Sequence, residues 1–344
     1  MTITKINLTL PRSWNQCTTR QLELIAQVMW EQIQRQDRYH PFSMRKVKVA
    51  AFFALSGIRV VQGVNLEDTS NRQFYLCKMP GGKKKDMLFP LYLWQINYWL
   101  SPKARTNDKH SVEYISQGEG LLDWLDNDRG MFLTKFPYPT IKRKRFWWRC
   151  SKGFQGAFPD MDGFSWMQYR FASAMMQSYT QLSNNLIRMR QMSRFTEAQM
   201  LRQAESVDMA RAMFLATIFN AKTDYIDGNT GIRKHDFHYE SSQCTDNAPY
   251  FHHFPDTEWQ VILFWWTGMM HTLSKRFPHV FKVQPINKQK PSTPLEIYTT
   301  TTATMQKYAG LTEDQVNNQS YSLVLEHLER LSKENEEMER IRKK

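Results

Sequence analysis

The sequence predicts a mainly α-helical protein: a helical core with a small β contribution and a C-terminal helical module. Three observations carry this prediction. Ser or Thr stands three residues before Gln at Thr18, Ser165, Thr196 and Thr312, each time ahead of an apolar pattern of helical period. Trp259, Ile262, Leu263, Trp266, Met269, Met270 and Leu273 recur at helical intervals. Strand-like pieces are short and interrupted by Pro, Gly and charged runs.

Taken in order, residues 1–57 read as a strand followed by a helical segment. Residues 3–10 alternate apolar and polar, and Pro11 ends them. A helix follows from Thr18, with Leu22, Ile25, Ala26, Met29 and Ile33 on one face, and a second spans 43–56 with Gly57 as its stop. Residues 58–150 form a mixed basic and aromatic region. There IRVVQGV, FYLCKM and LFPLYLWQINYWL are separated by PGGKKKD and SPKARTNDK, and periodicity leaves 89–100 open between helix and buried strand.

The helical core is expected at 151–283. Phe164 stands in the staple position before Ser165, and Thr257, with Glu258 and Gln260, marks the start of the most apolar helix. Val261, Phe264 and Trp265 fill that helix's other faces, so it is expected to be buried nearly all round and central to the core. Residues 224–256 are rich in turn formers and read as a long loop or small hairpin, with a tight turn at Asp227, Gly228 and Asn229. Prolines make 284–294 a linker. In the C-terminal module, 295–344, Leu323, Val324, Leu328 and Leu331 give a helical stripe, and the charged end is expected to be solvated or frayed.

With 41% hydrophobic residues in 344, the chain has ample material for a core and is not a disordered segment. Eleven Trp and 19 Met suit adaptable cores and contact surfaces. A net charge of +13 favours acidic partners, whether nucleic acid, protein or membrane surface, without choosing among them. Cys17, Cys77, Cys150 and Cys244 are too scattered for a CxxC zinc module or a disulfide framework. The N-terminus lacks the order of a signal peptide, and the apolar run 261–270 is too short to span a bilayer, so a cytoplasmic location is expected.

Three groups of residues could carry function. The basic, aromatic segment Lys142, Arg143, Lys144, Arg145, Phe146, Trp147, Trp148 and Arg149 could neutralise phosphates and stack on bases, or it could be an alternating half-buried segment with solvated cations. His235, His238, Cys244, His252 and His253 are metal-ligand types, but their spacing matches no standard zinc pattern. Asp123, Asp126 and Asp128 around Trp124 read as solvated acids on a short amphipathic helix. No GxSxG, GxxxxGK or GxGxxG motif occurs, so no enzyme and no cofactor are expected.

Residues 304–331 (TMQKYAGLTEDQVNNQSYSLVLEHLERL) combine a short helix, a Tyr-x-Gly-Leu turn, a Thr cap over an acidic turn and a final amphipathic helix. This plan resembles the small tail assembly chaperones of bacteriophages and prophages, with Tyr308, Gly310, Leu311, Thr312, Val316, Leu323, Leu325 and Leu328 at the matching positions. Residues 10–29 (LPRSWNQCTTRQLELIAQVM) are similar to Leu-Pro-x-x-Trp-x-x-x-Thr openings of phage proteins encoded near tail genes, and 158–176 loosely repeats the style. The resemblance implies a non-enzymatic tail-assembly factor, chaperone or structural, in the bacterial cytoplasm or with the virion. Its partner would be a tail tape-measure protein or other tail component, bound through Tyr308, Leu311, Val316, Leu323, Leu325 and Leu328. Two alternatives stay open: a nucleic-acid-binding protein of a mobile element acting through the 142–149 segment, and a metal-dependent enzyme built on the His-rich loop.

Overall fold

The computed structural model describes residues 10–34, 42–64, 74–79, 87–92, 122–126, 132–145, 151–192, 194–227, 230–282 and 294–342. The expected strand at 3–10 (Leu10 aside), residues 93–100, Asp128, Phe146, Trp147, Trp148, Arg149, Cys150 and the linker lie outside the described residues, apart from Pro294. The fold is mainly α. Its helices are α1 (Thr19–Gln34), α2 (Met44–Ser56), α3 (Trp166–Gln191), α4 (Glu197–Ile218), α5 (Ser241–Asn247), α6 (Asp256–Arg276), α7 (Pro294–Ala309), α8 (Glu313–Asn318) and α9 (Tyr321–Arg342). The strands are β1 (Arg59–Val64), β2 (Phe74–Met79), β3 (Met87–Tyr92), β4 (Thr140–Arg143), β5 (Lys152–Gln155), β6 (Asn220–Ile226) and β7 (Arg233–Phe237). The chain forms two compact units, Met1–Pro137 with Asp256–Met269, and Tyr138–Pro255 with Met270–Lys344. Neither follows the boundaries expected at 57, 150 and 283.

The caps act as the residue types require. Thr18 and Gln21 exchange hydrogen bonds at the start of α1, and Gly57 takes φ +70° at the end of α2, a conformation open to glycine at little cost. In the first unit Leu22, Ile25 and Ala26 of α1 are buried, whereas Ile33 near its end is 45% exposed. The mixed region from residue 58 supplies an antiparallel sheet, β1-β2-β3, with a register shift between Val60 and Gln62. Residues 89–92 are therefore strand.

Helix α6 is buried on most of its circumference, as expected: Trp259, Val261, Ile262, Trp265 and Met269 are at most 2% exposed. Trp265 donates its indole N–H to the Thr134 carbonyl at 3.2 Å and meets Phe136 edge-on, while Trp14 packs on Phe264 and Trp124. Such aromatic contacts add to the area that each ring buries. The helix starts one residue earlier than expected. Pro255 precedes it, Thr257 does not cap it, and Asp256 and Glu258 complement the positive end of its dipole.

The acids around Trp124 are not all solvated. Asp123 is 3% exposed and accepts from Lys48, itself 6% exposed, at 3.2 Å; the same ammonium reaches Asp126 at 2.5 Å. A buried carboxylate persists only beside such a partner, and that partner lies 75 residues upstream. Local pattern could not show it.

In the second unit, α3 and α4 are antiparallel neighbours, and the sheet runs β4-β5-β6-β7 with every pairing antiparallel. The excursion at 224–256 contains the β6–β7 hairpin. The Asp227 carbonyl accepts from Gly231 N–H at 2.8 Å, and Gly231 has φ +65°. Ser165 caps α3 through Gln168 N–H, and the Gln168 side chain donates to the Thr217 carbonyl and the Asn220 side chain. The C-terminal module packs on the start of α3. Trp166 donates to the Gln319 carbonyl, Tyr321 donates to that of Phe164, and the Tyr321 ring stacks on Tyr169. Its buried stripe is Tyr321, Val324, Leu325 and Glu329, rather than the expected one through Leu323, which is 42% exposed. The register follows Tyr321, whose hydroxyl donates to the Asp160 carbonyl at 2.6 Å; Leu323 then falls off the contact face.

Two substitutions test this packing. Lys48→Met should lower unfolding free energy by about 2 kcal/mol in urea titration, because it removes the buried ammonium that Asp123 and Asp126 share. At Gly268 an added Cβ would lie 2.2 Å from the Leu133 carbonyl oxygen. Gly268→Ala should therefore cost about 2 kcal/mol by the same measurement, despite the higher helix propensity of alanine.

Candidate functional site

Four of the exposed large apolar residues, Ile187, Met192, Leu201 and Met209, lie on the outer part of the α3–α4 hairpin. At 26 and 22 residues, the two helices extend about 39 and about 33 Å. Their near ends are packed: Trp166, Tyr169, Ala172 and Met176 of α3 are buried, as are Phe214, Leu215 and Ile218 of α4. Beyond Leu186 the pattern changes, and none of the described residues from 187 to 209 is buried. There the two helices cover one another partially, with Met189, Phe195, Met200 and Val207 half-buried. A hydrogen bond from Gln203 Nε2 to the Leu182 carbonyl at 2.9 Å ties them together. Thr196 and Gln199 close the turn as a reciprocal capping box.

Apolar side chains remain outside this seam. Ile187 is 52% exposed, Leu201 61%, and Met192 and Met209 are nearly as open. Arg188, Arg190, Arg194 and Arg202 are exposed among them, against Glu197 and Glu205. Sequence reading passed over this end because an amphipathic hairpin looks alike whether its outer apolar positions are covered or bare. Arginine beside exposed methionine and leucine suits a protein-contact surface.

The residues expected to bind a partner are placed differently. Val316 and Leu325 are buried within the chain, Leu311 and Leu328 are half-buried, and Leu323 is exposed; Tyr308 lies on α7. The expected local plan is present. Gly310 follows α7 with φ +64°, and Thr312 and Gln315 form a capping box at α8. Helix α9 is joined by ion pairs of Arg276 with Glu326 and Lys282 with Glu336, and by a contact of His279 with Glu329. Beside them His279, Lys333, Glu336, Glu337, Arg340 and Ile341 line an open groove of about 440 Å³. Burial alone would raise the Glu329 carboxyl, but hydrogen bonds from His279 Nδ1 at 2.6 Å and from the backbone N–H groups of Val280 and His279 hold it below its ordinary value.

The basic segment divides between the two faces of its sheet. Lys142 is exposed, whereas Arg143 lies on the inner face with its guanidinium 4.3 Å from the centre of the Phe254 ring. Lys144 and Arg145 are exposed, and Trp147 and Arg149 lie outside the described residues.

The His-rich loop is not gathered around one point. His235 meets Asp224 at 2.7 Å, His238 stacks on Tyr225, and His252 meets Asp208 at 3.1 Å. Cys244 is buried beside Thr217 and Tyr239, and burial pushes its thiol up, away from the thiolate that zinc takes. Among the described residues, no group of three or more His, Cys, Asp or Glu side chains is placed to hold a metal ion. No helix among them is long and apolar enough to cross a membrane.

No model of a known protein family, no curated protein and no solved structure matches this chain.

The contact of Glu329 with His279 at α9 has a pH signature. Because Glu329 titrates below its ordinary value of 4.5 when folded, it stabilises the fold above that value and loses the contribution as pH falls through the folded one. Glu329→Gln should therefore lower Tm near neutral pH, and the gap from wild type should narrow as pH is taken below the ordinary value of 4.5 in thermal melts.

Proposed function

We propose that this protein is a non-enzymatic assembly factor that binds a helical protein partner, in the manner of the phage and prophage tail-assembly chaperones that its 304–331 segment resembles. The observation that carries this reading is the α3–α4 end, where 187–209 contains no buried residue among those described and Ile187, Met192 and Leu201 stand exposed. Such side chains gain about 1.5–3 kcal/mol each when a partner covers them fully. An amphipathic helix is a suitable cover, since its apolar stripe and the hairpin's seam share one period. A tail tape-measure protein is a long helical chain whose stripes need shielding before the tube forms, and the exposed arginines favour a partner with acidic flanks.

This reading moves the contact away from the residues first expected to make it. Val316 and Leu325 serve intrachain packing, so the C-terminal module supports the fold, with Leu323, Met338 and Ile341 among its exposed apolar residues. No step of the reading requires catalysis, and none passes through the His-rich loop.

Photocrosslinking decides it. A crosslinking amino acid at position 192, in the native host during virion assembly, should capture a long helical tail protein identified by mass spectrometry. Met192→Glu with Leu201→Glu should weaken that complex roughly tenfold or more, with helix content by circular dichroism unchanged. Crosslinks to nucleic acid alone, or a complex indifferent to both charges, would sink the proposal.

A further inference from the structure

We infer that the outer face of the β4-β5-β6-β7 sheet is a platform for single-stranded nucleic acid, separate from the helical hairpin. Strand register decides which side chains meet there. Lys142 is paired with Gly153, and Lys222 with Phe237. Strands β5 and β6 pair Phe154 with Ala221 and Gln155 with Asn220, so by alternation Gly153 and Lys222, each next to the first of these pairs, lie on the opposite face from Phe154 and Ala221. Lys142, Gly153, Lys222 and Phe237 thus form one row across a single face of the sheet. The row lies on the face opposite buried Phe154 and Ala221.

The row has the chemistry of a strand-binding strip. Two strand spacings place the lysine Cα atoms about 10 Å apart. Gly153 keeps the floor between them open, because a Cβ there would meet nothing within 4 Å. Both lysines are exposed. The Phe237 ring is half-buried, with Lys222 Nζ 5.4 Å from its centre, so a firmly held aromatic ring sits at the end of the row. The neighbouring carboxylate on this face, Asp224, is engaged by Arg233 and by His235, both at 2.7 Å, and so offers little repulsion to a phosphate. Lys144 continues the outward alternation past β4.

Cations spaced around an open floor suit phosphates, and a ring at the row's end suits an unpaired base. An acidic peptide could use the lysines but would gain nothing from stacking on Phe237, and a duplex keeps its bases paired and its base faces covered. Single-stranded nucleic acid is therefore the occupant that uses every member of the row. The chain's charge of +13 assists its approach.

The test is fluorescence anisotropy of the full chain with a labelled 15-nucleotide oligothymidylate, titrated from about 50 to about 200 mM salt. Lys142→Gln with Lys222→Gln should weaken binding at least tenfold and reduce the salt slope by about 1.4, at about 0.7 for each phosphate left without its lysine. Phe237→Ala should cost roughly tenfold, and Phe237→Leu, which retains apolar volume without the ring, nearly as much. A charge-matched control, Lys307→Gln with Lys333→Gln, should stay within about twofold. Thermal melts should show all four variants folded. The inference is overturned by no binding at the lowest salt, by a control that loses as much as the sheet variants, by a Phe237→Leu protein that binds like wild type, or by polyglutamate competing as well as DNA.

Discussion

The structure depends on a constraint set by one helix. Residues 256–276 are apolar on nearly every side, and a helix of that kind is stable only where something covers each face. The first unit supplies much of the cover through a loop: Leu133, Thr134 and Phe136 lie against Trp265 and Gly268, and Trp14 closes on Phe264. Glycine at 268 is what lets backbone approach backbone there. The Asn15 side chain fixes the same loop, accepting from the N–H groups of Thr134 and Lys135 and donating to the Thr134 hydroxyl. The helix's last turns belong to the second unit, whose core continues through Leu273 and Phe277.

Helices and their starts were legible because caps and apolar period are local properties. Thr18, Ser165, Thr196 and Thr312 all cap where their spacing predicts. Contacts between distant segments were not. The buried pair of Lys48 and Asp123 joins residues 75 apart, and Leu323 was assigned to a stripe that Tyr321 takes over through its hydroxyl and ring. Thr257 failed as a cap because Pro255 and the acids of the first turn already start that helix.

The candidate sites show the same limit more sharply. Lys142 was singled out from its neighbours in sequence, yet its companions across the sheet come from β5, β6 and β7. Arg143, adjacent in sequence, turns to the other face and lies over Phe254. Exposure at the α3–α4 end was equally hidden, since composition records which side chains are apolar but not which of them lack cover. The two surfaces differ in chemistry: the helical end exposes apolar side chains among arginines, and the sheet face exposes lysines beside one aromatic ring.

Among the described residues, strand β7 lies at one margin of its sheet in the order β4-β5-β6-β7. Such a margin can recruit strands from other copies. Here it reads Arg233, Lys234, His235 and Asp236 before Phe237, so an added strand would meet a segment only five residues long and made almost wholly of charged and polar side chains. That short charged border disfavours copies of the chain stacking edge to edge into fibres.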